Sequence, residues 1–188
     1  MVQKNEHVFE KLNLTPLAMD VLLWLARNPK KDFYVREIAD SIKGSLGGCH
    51  NVLHALHEYG LLNKRIRGKN VYYSVNEIDP QIKYFKIFMN IHGLRGLLLT
   101  VREKCRRITL FGSCAEGEDT LESDVDLLII TDDVDSIRKK VQSYPLSRNL
   151  EPVVITPRDF LKLKERDKAF YEEVSKGIVL WSGEDERI

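Results

Sequence analysis

A chain of 188 residues with 43% apolar and 30% charged residues has the balance of an ordinary folded protein, which excludes extended disorder. No apolar run approaches the roughly 20 residues that a membrane-spanning helix needs, and the opening MVQKNEHVFEKLN lacks the apolar core of a signal peptide. Three cysteines, Cys49, Cys105 and Cys114, are an odd number without ligand-like clustering. They argue against a disulfide framework or a zinc site and for a cytoplasmic protein. The net charge of +1 hides an uneven distribution: +2 over 1–79, +6 over 80–107 and −7 over 108–188. Such a split suggests two modules with different partners.

Leu17, Val21, Leu22 and Leu25 recur at helical spacing from Leu14 to Ala26, and Asn28–Pro29 closes that helix. A short extended FYV follows, then a helix from Val35 to Ile42 with Ile38, Ala39 and Ile42 on its inner face. After the turn KGSLGG, Ser45 is placed to cap a third helix running to about Tyr59, whose buried stripe is Val52, Leu53 and Leu56. Leu62–Ile66 and Val71–Val75 read as a hairpin around the basic turn Arg67–Gly68–Lys69–Asn70. His50, His54 and His57 are spaced like metal ligands but lack a carboxylate or Cys companion, and read as surface polar residues.

This order of elements, from about Leu14 to Val75, resembles the winged helix-turn-helix family. The resemblance implies that the third helix enters the major groove of duplex DNA while the hairpin tip contacts the backbone. Carried over, Ser45, His50, Asn51 and His54 are the groove-facing candidates, and Arg65, Arg67 and Lys69 are the phosphate contacts. A protein-interaction module with a solvated basic turn is the competing reading.

Pro80 to about Cys105 is helical in pattern, with Gly93 and Gly96 expected to bend or break its middle. It is read as a connector packing on one or both modules, or alternatively as the seam of a homodimer. The expected domains are 1–79, a linker helical segment 80–106, and 107–188.

Ile108–Phe111 is a short apolar run ended by Gly112, consistent with a buried strand and a tight turn. Glycine lets a phosphate approach the backbone, and Ser113 adds a hydroxyl donor where a helix begins. Ten residues later Asp124 and Asp126 stand two apart, so on a strand both side chains leave one face while Val125 points into the core. Paired carboxylates repel unless a cation lies between them, and an oxygen-preferring ion such as Mg²⁺ fits and commonly arrives with phosphates. That layout suits phosphoryl or nucleotidyl transfer, in which two metals can clamp the attacking and leaving oxygens. Cys114 also invites a nucleophile reading, but with no His nearby in sequence a small residue at the helix start is preferred.

The stretch GSCAEGEDTLESDVDLL, with Gly-Ser, ten intervening residues and Asp-x-Asp, resembles the nucleotidyltransferases related to DNA polymerase beta, and within them the minimal branch. The resemblance extends from about Leu97 to the C-terminus. Together the two resemblances imply an α+β chain in which an N-terminal winged helix-turn-helix and a linker helix precede a mixed sheet flanked by helices. The second resemblance implies the site residues: Gly112 and Ser113 bind the triphosphate of ATP or another nucleotide, and Asp124 and Asp126 coordinate two Mg²⁺ ions. A third carboxylate on a later strand completes the site, with Glu151 in NLEPVVIT as the candidate and an ordinary strand-edge glutamate as the alternative. Some relatives transfer AMP to a tyrosine of a partner toxin of the HEPN helical family, which makes such a toxin a partner to consider. The branch often carries Arg after the Ser and after the Ala, where this chain has Cys114 and Glu116. With Glu118, Asp119 and Glu122 added, the loop is expected to meet a triphosphate with like charge. The competing function is a DNA-binding regulator whose second domain is inactive and senses nucleotide or dimerises.

Overall fold

The computed structural model describes residues 13–183. The N-terminal stretch in which no signal-peptide core was found lies outside the described residues up to residue 12. The chain divides after Lys83 into two compact units.

In the first unit, α1 (Pro16–Ala26) starts where Thr15 caps the Ala18 amide at 3.2 Å and Pro16 occupies the first helical position. Its Val21, Leu22 and Leu25 are buried. A two-residue strand, β1 (Phe33–Tyr34), leads directly into α2 (Val35–Ile42), and Glu37 reaches back to the Tyr34 amide at 2.9 Å. Ser45 caps α3 (Leu46–Glu58) through the Gly48 amide at 3.2 Å, and Cys49, Leu53 and Leu56 form its buried stripe. The hairpin of β2 (Leu62–Arg67) and β3 (Asn70–Val75) turns at Gly68, whose φ of +61° suits a residue without Cβ. β1 joins it to give a three-stranded sheet of order β1-β3-β2. Helix, strand, helix, helix and hairpin thus follow one another as the sequence led us to expect.

α4 (Pro80–Val101) runs through Gly93 and Gly96 without the break that was one expectation there. From Tyr84 onward it belongs to the second unit, and Leu94, Leu97 and Val101 are almost fully buried in that unit's core. Each such burial stabilises by about 1.5–3 kcal/mol, whereas a helical glycine costs about 1 kcal/mol, so packing outweighs the local weakness. Gly96 also serves the packing: a Cβ there would fall 2.2 Å from the Tyr144 hydroxyl.

The rest of the second unit is a four-stranded mixed sheet with helices on both faces. Its strands are β4 (Arg107–Phe111), β5 (Val125–Ile130), β6 (Leu150–Ile155) and β7 (Ile178–Ser182), in the order β6-β5-β4-β7. β4 runs antiparallel to β5 and β7, while β5 and β6 are parallel. The parallel pair needs a crossover, supplied by α6 (Val134–Gln142). A five-residue helix, α5 (Gly112–Glu116), follows β4, and α7 (Pro157–Arg166) and α8 (Lys168–Ser175) precede β7. Alternation along the strands makes two cores. Ile108, Leu110, Val125, Leu127, Ile129 and Val154 pack with α4 and α6, whereas Phe111, Leu128, Ile130, Val153 and Ile155 pack with Phe160 of α7 and Phe170 and Val174 of α8. The architecture is α+β. No described helix is long and apolar enough to cross a membrane.

Candidate active site

Asp126 is the second residue of β5, and the strand's alternation puts it on the face shared with Leu128 and Ile130. Its partner across the antiparallel pair is Phe111, and its partner across the parallel pair is Glu151. Glu151 alternates with Val153 and Ile155, so register alone sets the two carboxylates side by side on one face. Val125, between the aspartates, is 3% exposed, and Asp124 is exposed at the strand's mouth.

Gly112 explains why the chain has glycine at the end of β4. Its φ is +63°, and a Cβ built on it would lie 2.5 Å from Asp126 Oδ2. Only glycine adopts that conformation cheaply, and only glycine leaves the carboxylate where it is. The two halves of the motif, ten residues apart in sequence, therefore touch.

The pKa of Asp126 is raised, first by burial and then by the negative charges of Glu173, Asp124 and Glu151, against a lowering by Arg148. Glu173, on α8, was not singled out in the sequence, yet among these charges it acts most strongly on Asp126. Like charges on one face repel, and Glu151 Oε1 accepts from Asn149 Nδ2 at 2.9 Å. Among the described residues no three His, Cys, Asp or Glu side chains converge as a metal cage. Asp124, Asp126 and Glu151 thus share a site without closing into the expected ligand trio. The donor chemistry still suits Mg²⁺: hard carboxylate oxygens, with a turn that has no side chain backed against one of them.

The loop between the two halves is the main surprise. Asp119, expected to repel a triphosphate, is fully buried. Its carboxylate accepts from Arg148 Nη1 at 3.0 Å and from Asn90 Nδ2 at 3.0 Å, with Lys86 Nζ at 3.9 Å. Two cations therefore offset one acid that composition alone would have counted against substrate. Arg148 also donates to the Ser123 carbonyl through Nε at 3.1 Å and Nη2 at 2.7 Å, and to Cys114 Sγ at 3.3 Å. Cys114 itself is buried and donates to the Asp124 carbonyl at 3.2 Å, so it is a structural tie, as its reading as a small helix-start residue allowed. Arg148, Asn90 and Lys86 carried no sequence signal because they are remote from the motif.

Arg106, immediately before β4, pairs with Asp132 through Nε at 3.0 Å and Nη2 at 2.9 Å.

In the first unit, His50, Asn51 and His54 are exposed on α3, while Ser45 is committed to the helix cap. His57 is half-buried and its Nδ1 donates to the Leu62 carbonyl at 2.9 Å, so it is a packing residue and not the surface polar group expected. Lys69 stands exposed at the hairpin tip. Arg65 and Arg67 both meet Asp32, Arg67 by a hydrogen bond from Nη2 and Arg65 by an ion pair at 3.6 Å. Arg67 also lies 5.2 Å over the Tyr72 ring. The hairpin's charge is thus partly neutralised from within.

Residues 98–186 match the family model for polymerase beta nucleotidyltransferases. That segment starts inside α4 and contains the four-stranded sheet, the Gly-Ser turn and Asp119, Asp124, Asp126, Glu151 and Glu173. The match supports a likeness of this segment to the nucleotidyltransferase superfamily, and with it nucleotidyl transfer from a nucleoside triphosphate as the general activity. No curated protein matches the chain.

Proposed function

We propose that the second unit is a Mg²⁺-dependent nucleotidyltransferase that moves a nucleoside monophosphate, AMP from ATP as the leading case, to an acceptor hydroxyl with release of pyrophosphate. The observation carrying this reading is the contact of Gly112 with Asp126, in register with Glu151, inside the matched segment. Gly112 and Ser113 would receive the triphosphate, one by leaving the backbone approachable and the other by donating its hydroxyl. Asp124 and Asp126 would hold Mg²⁺, which when bound neutralises charge on the phosphates. Glu151 lies where it can complete that set and accept the proton of the acceptor hydroxyl. The acceptor proposed is a tyrosine of a helical partner protein of the HEPN toxin type, and the first unit is proposed to be a winged helix that binds duplex DNA through α3 and the hairpin.

A second reading has one specific observation behind it. Cys114 and Glu116 stand where the branch often has arginines, and Cys114 is enclosed in the loop's own bonding. A regulator that binds nucleotide without transferring it would need fewer cations there.

The test uses the full chain with Mg²⁺ and ATP. A ligand that binds only the folded state raises the melting temperature, so wild type should melt higher with Mg²⁺–ATP, and Asp124→Asn/Asp126→Asn should lose that shift while remaining folded. Label transferred from α-phosphate-labelled ATP to a partner protein supports the enzyme. Binding without pyrophosphate release across acceptors supports the regulator. A double variant that melts lower and keeps the full shift would overturn the metal-site assignment.

A further inference from the structure

One largely enclosed side chain bridges the two halves of the site. Arg148 lies on the segment between α6 and β6, and its side chain is 11% exposed. Its fork reaches three places. Nε and Nη2 both hold the carbonyl of Ser123, the residue before Asp124. Nη2 also touches Cys114 Sγ, on the residue after Ser113. Nη1 is held by Asp119 Oδ2 at 3.0 Å and Asn90 Oδ1 at 3.2 Å. Asn90 in turn donates to the Cys114 carbonyl at 2.9 Å, and Cys114 donates to the Asp124 carbonyl. One guanidinium therefore holds the Ser123 carbonyl on one side and the Cys114 thiol on the other, with the fully buried Asp119 as its counter-ion and Asn90 holding the Cys114 carbonyl.

We propose that Arg148, fixed by Asp119 and Asn90, is a positioning residue that sets the Asp124–Asp126 carboxylates against the Gly112–Ser113 turn. The proposal rests on the nucleotidyltransferase reading above. A planar fork with five donors suits this task because it can satisfy a carbonyl, a carboxylate and a thiol in fixed directions. An ammonium group has the charge but not the span. A hydrophobic residue of similar volume would also hold the loops apart, yet it would leave the buried Asp119 without its closest cation. None of these atoms needs to touch substrate: the network acts through the backbone carbonyls it grips, as outer groups do in other metal sites.

The test compares Arg148→Lys with wild type, and with Arg106→Lys as a control, because Arg106 forms an exposed pair with Asp132 away from the network. Three quantities are read: thermal melting, amide hydrogen exchange without ligand, and Mg²⁺–ATP affinity by calorimetry. The expected result is a folded Arg148→Lys protein with faster exchange confined to residues 113–126. Its Mg²⁺–ATP affinity should fall roughly 10–100-fold, while Arg106→Lys binds as wild type does. A variant with unchanged affinity per folded molecule overturns the proposal, as does loosening spread evenly over β4, β5 and β6. If Arg148→Lys fails to fold, Asn90→Ala repeats the comparison with the ion pair to Asp119 retained, and the same outcomes decide. Wild type that binds no Mg²⁺–ATP overturns the activity reading itself, a result distinct from wild type that binds and a variant that binds equally well.

Discussion

Gly112 and Asp126 are fitted to each other: a methyl group on the glycine would come within 2.5 Å of the aspartate's Oδ2. Gly112→Ala therefore forces two changes, a left-handed φ on a residue with a Cβ and a rotation of the carboxylate. The left-handed conformation alone costs about 1–3 kcal/mol. The expected outcome is a lower melting temperature together with loss of the Mg²⁺–ATP shift, because the displaced carboxylate is one of the proposed ligands. A variant that keeps the shift at full size would show that Asp126 has no part in binding.

Asp126 also predicts a pH dependence. Its pKa is raised in the folded protein by burial and by Glu173, Asp124 and Glu151, so its ionised form is disfavoured relative to the unfolded chain. The sign follows from linkage. At neutral pH the charge costs stability, the cost shrinks as pH falls through the raised value, and it vanishes below the ordinary carboxylate range, where both states are protonated. Asp126→Asn should thus melt somewhat above wild type at pH 7 without metal, and the gain should fade on acidification. The effect is small because the group is partly solvated and Arg148 opposes the shift. A gain that grows towards low pH would contradict this account.

What could be read from the sequence was local. Gly112–Ser113 and Asp124–Asp126 stand out because strand alternation and glycine's backbone freedom act over a few residues. Glu151 was reachable for the same reason, since a second apolar strand carries it. Arg148, Asp119, Asn90 and Lys86 were not, because nothing within a window of the chain distinguishes a lysine or asparagine on α4 from its neighbours. Only folding brings positions 86, 90, 119 and 148 together. Asp119 was misread for an instructive reason: charge counted along a loop says nothing about which acids are enclosed with cations. Glu173 depends on how α8 lies on the sheet, which no periodicity encodes.

The two glycines of α4 should respond differently to alanine. A Cβ at Gly93 meets nothing within 4 Å, so Gly93→Ala should stabilise the protein by about 1 kcal/mol through helix propensity. At Gly96 the same methyl group would lie 2.2 Å from the Tyr144 hydroxyl, so the propensity gain must be set against displacement of the tyrosine. Gly96→Ala should fall short of Gly93→Ala in denaturant midpoint. Equal gains would mean that Tyr144 swings aside freely and does not pin α4 to the core.

Asp32 sits between Arg65 and Arg67, with 14% of its side chain exposed, while the arginines remain 64% and 59% exposed. Such a pair adds only about 0–1 kcal/mol to stability, but it withholds two cations from phosphates. Asp32→Asn should leave the fold nearly as stable and tighten binding to duplex DNA. It should also steepen the fall of affinity with salt, by up to about one unit of slope for each further phosphate that a freed arginine neutralises. Arg67→Ala and Lys69→Ala should weaken binding alike across sequences, because phosphate contacts carry no base information. Changes at Asn51 or His50 should instead alter sequence preference, since both are exposed on α3. Salt titrations of wild type and Asp32→Asn on one duplex decide the matter. If neither binds even at low salt, the unit is a protein-interaction module and the arginine pair is only a solvated turn.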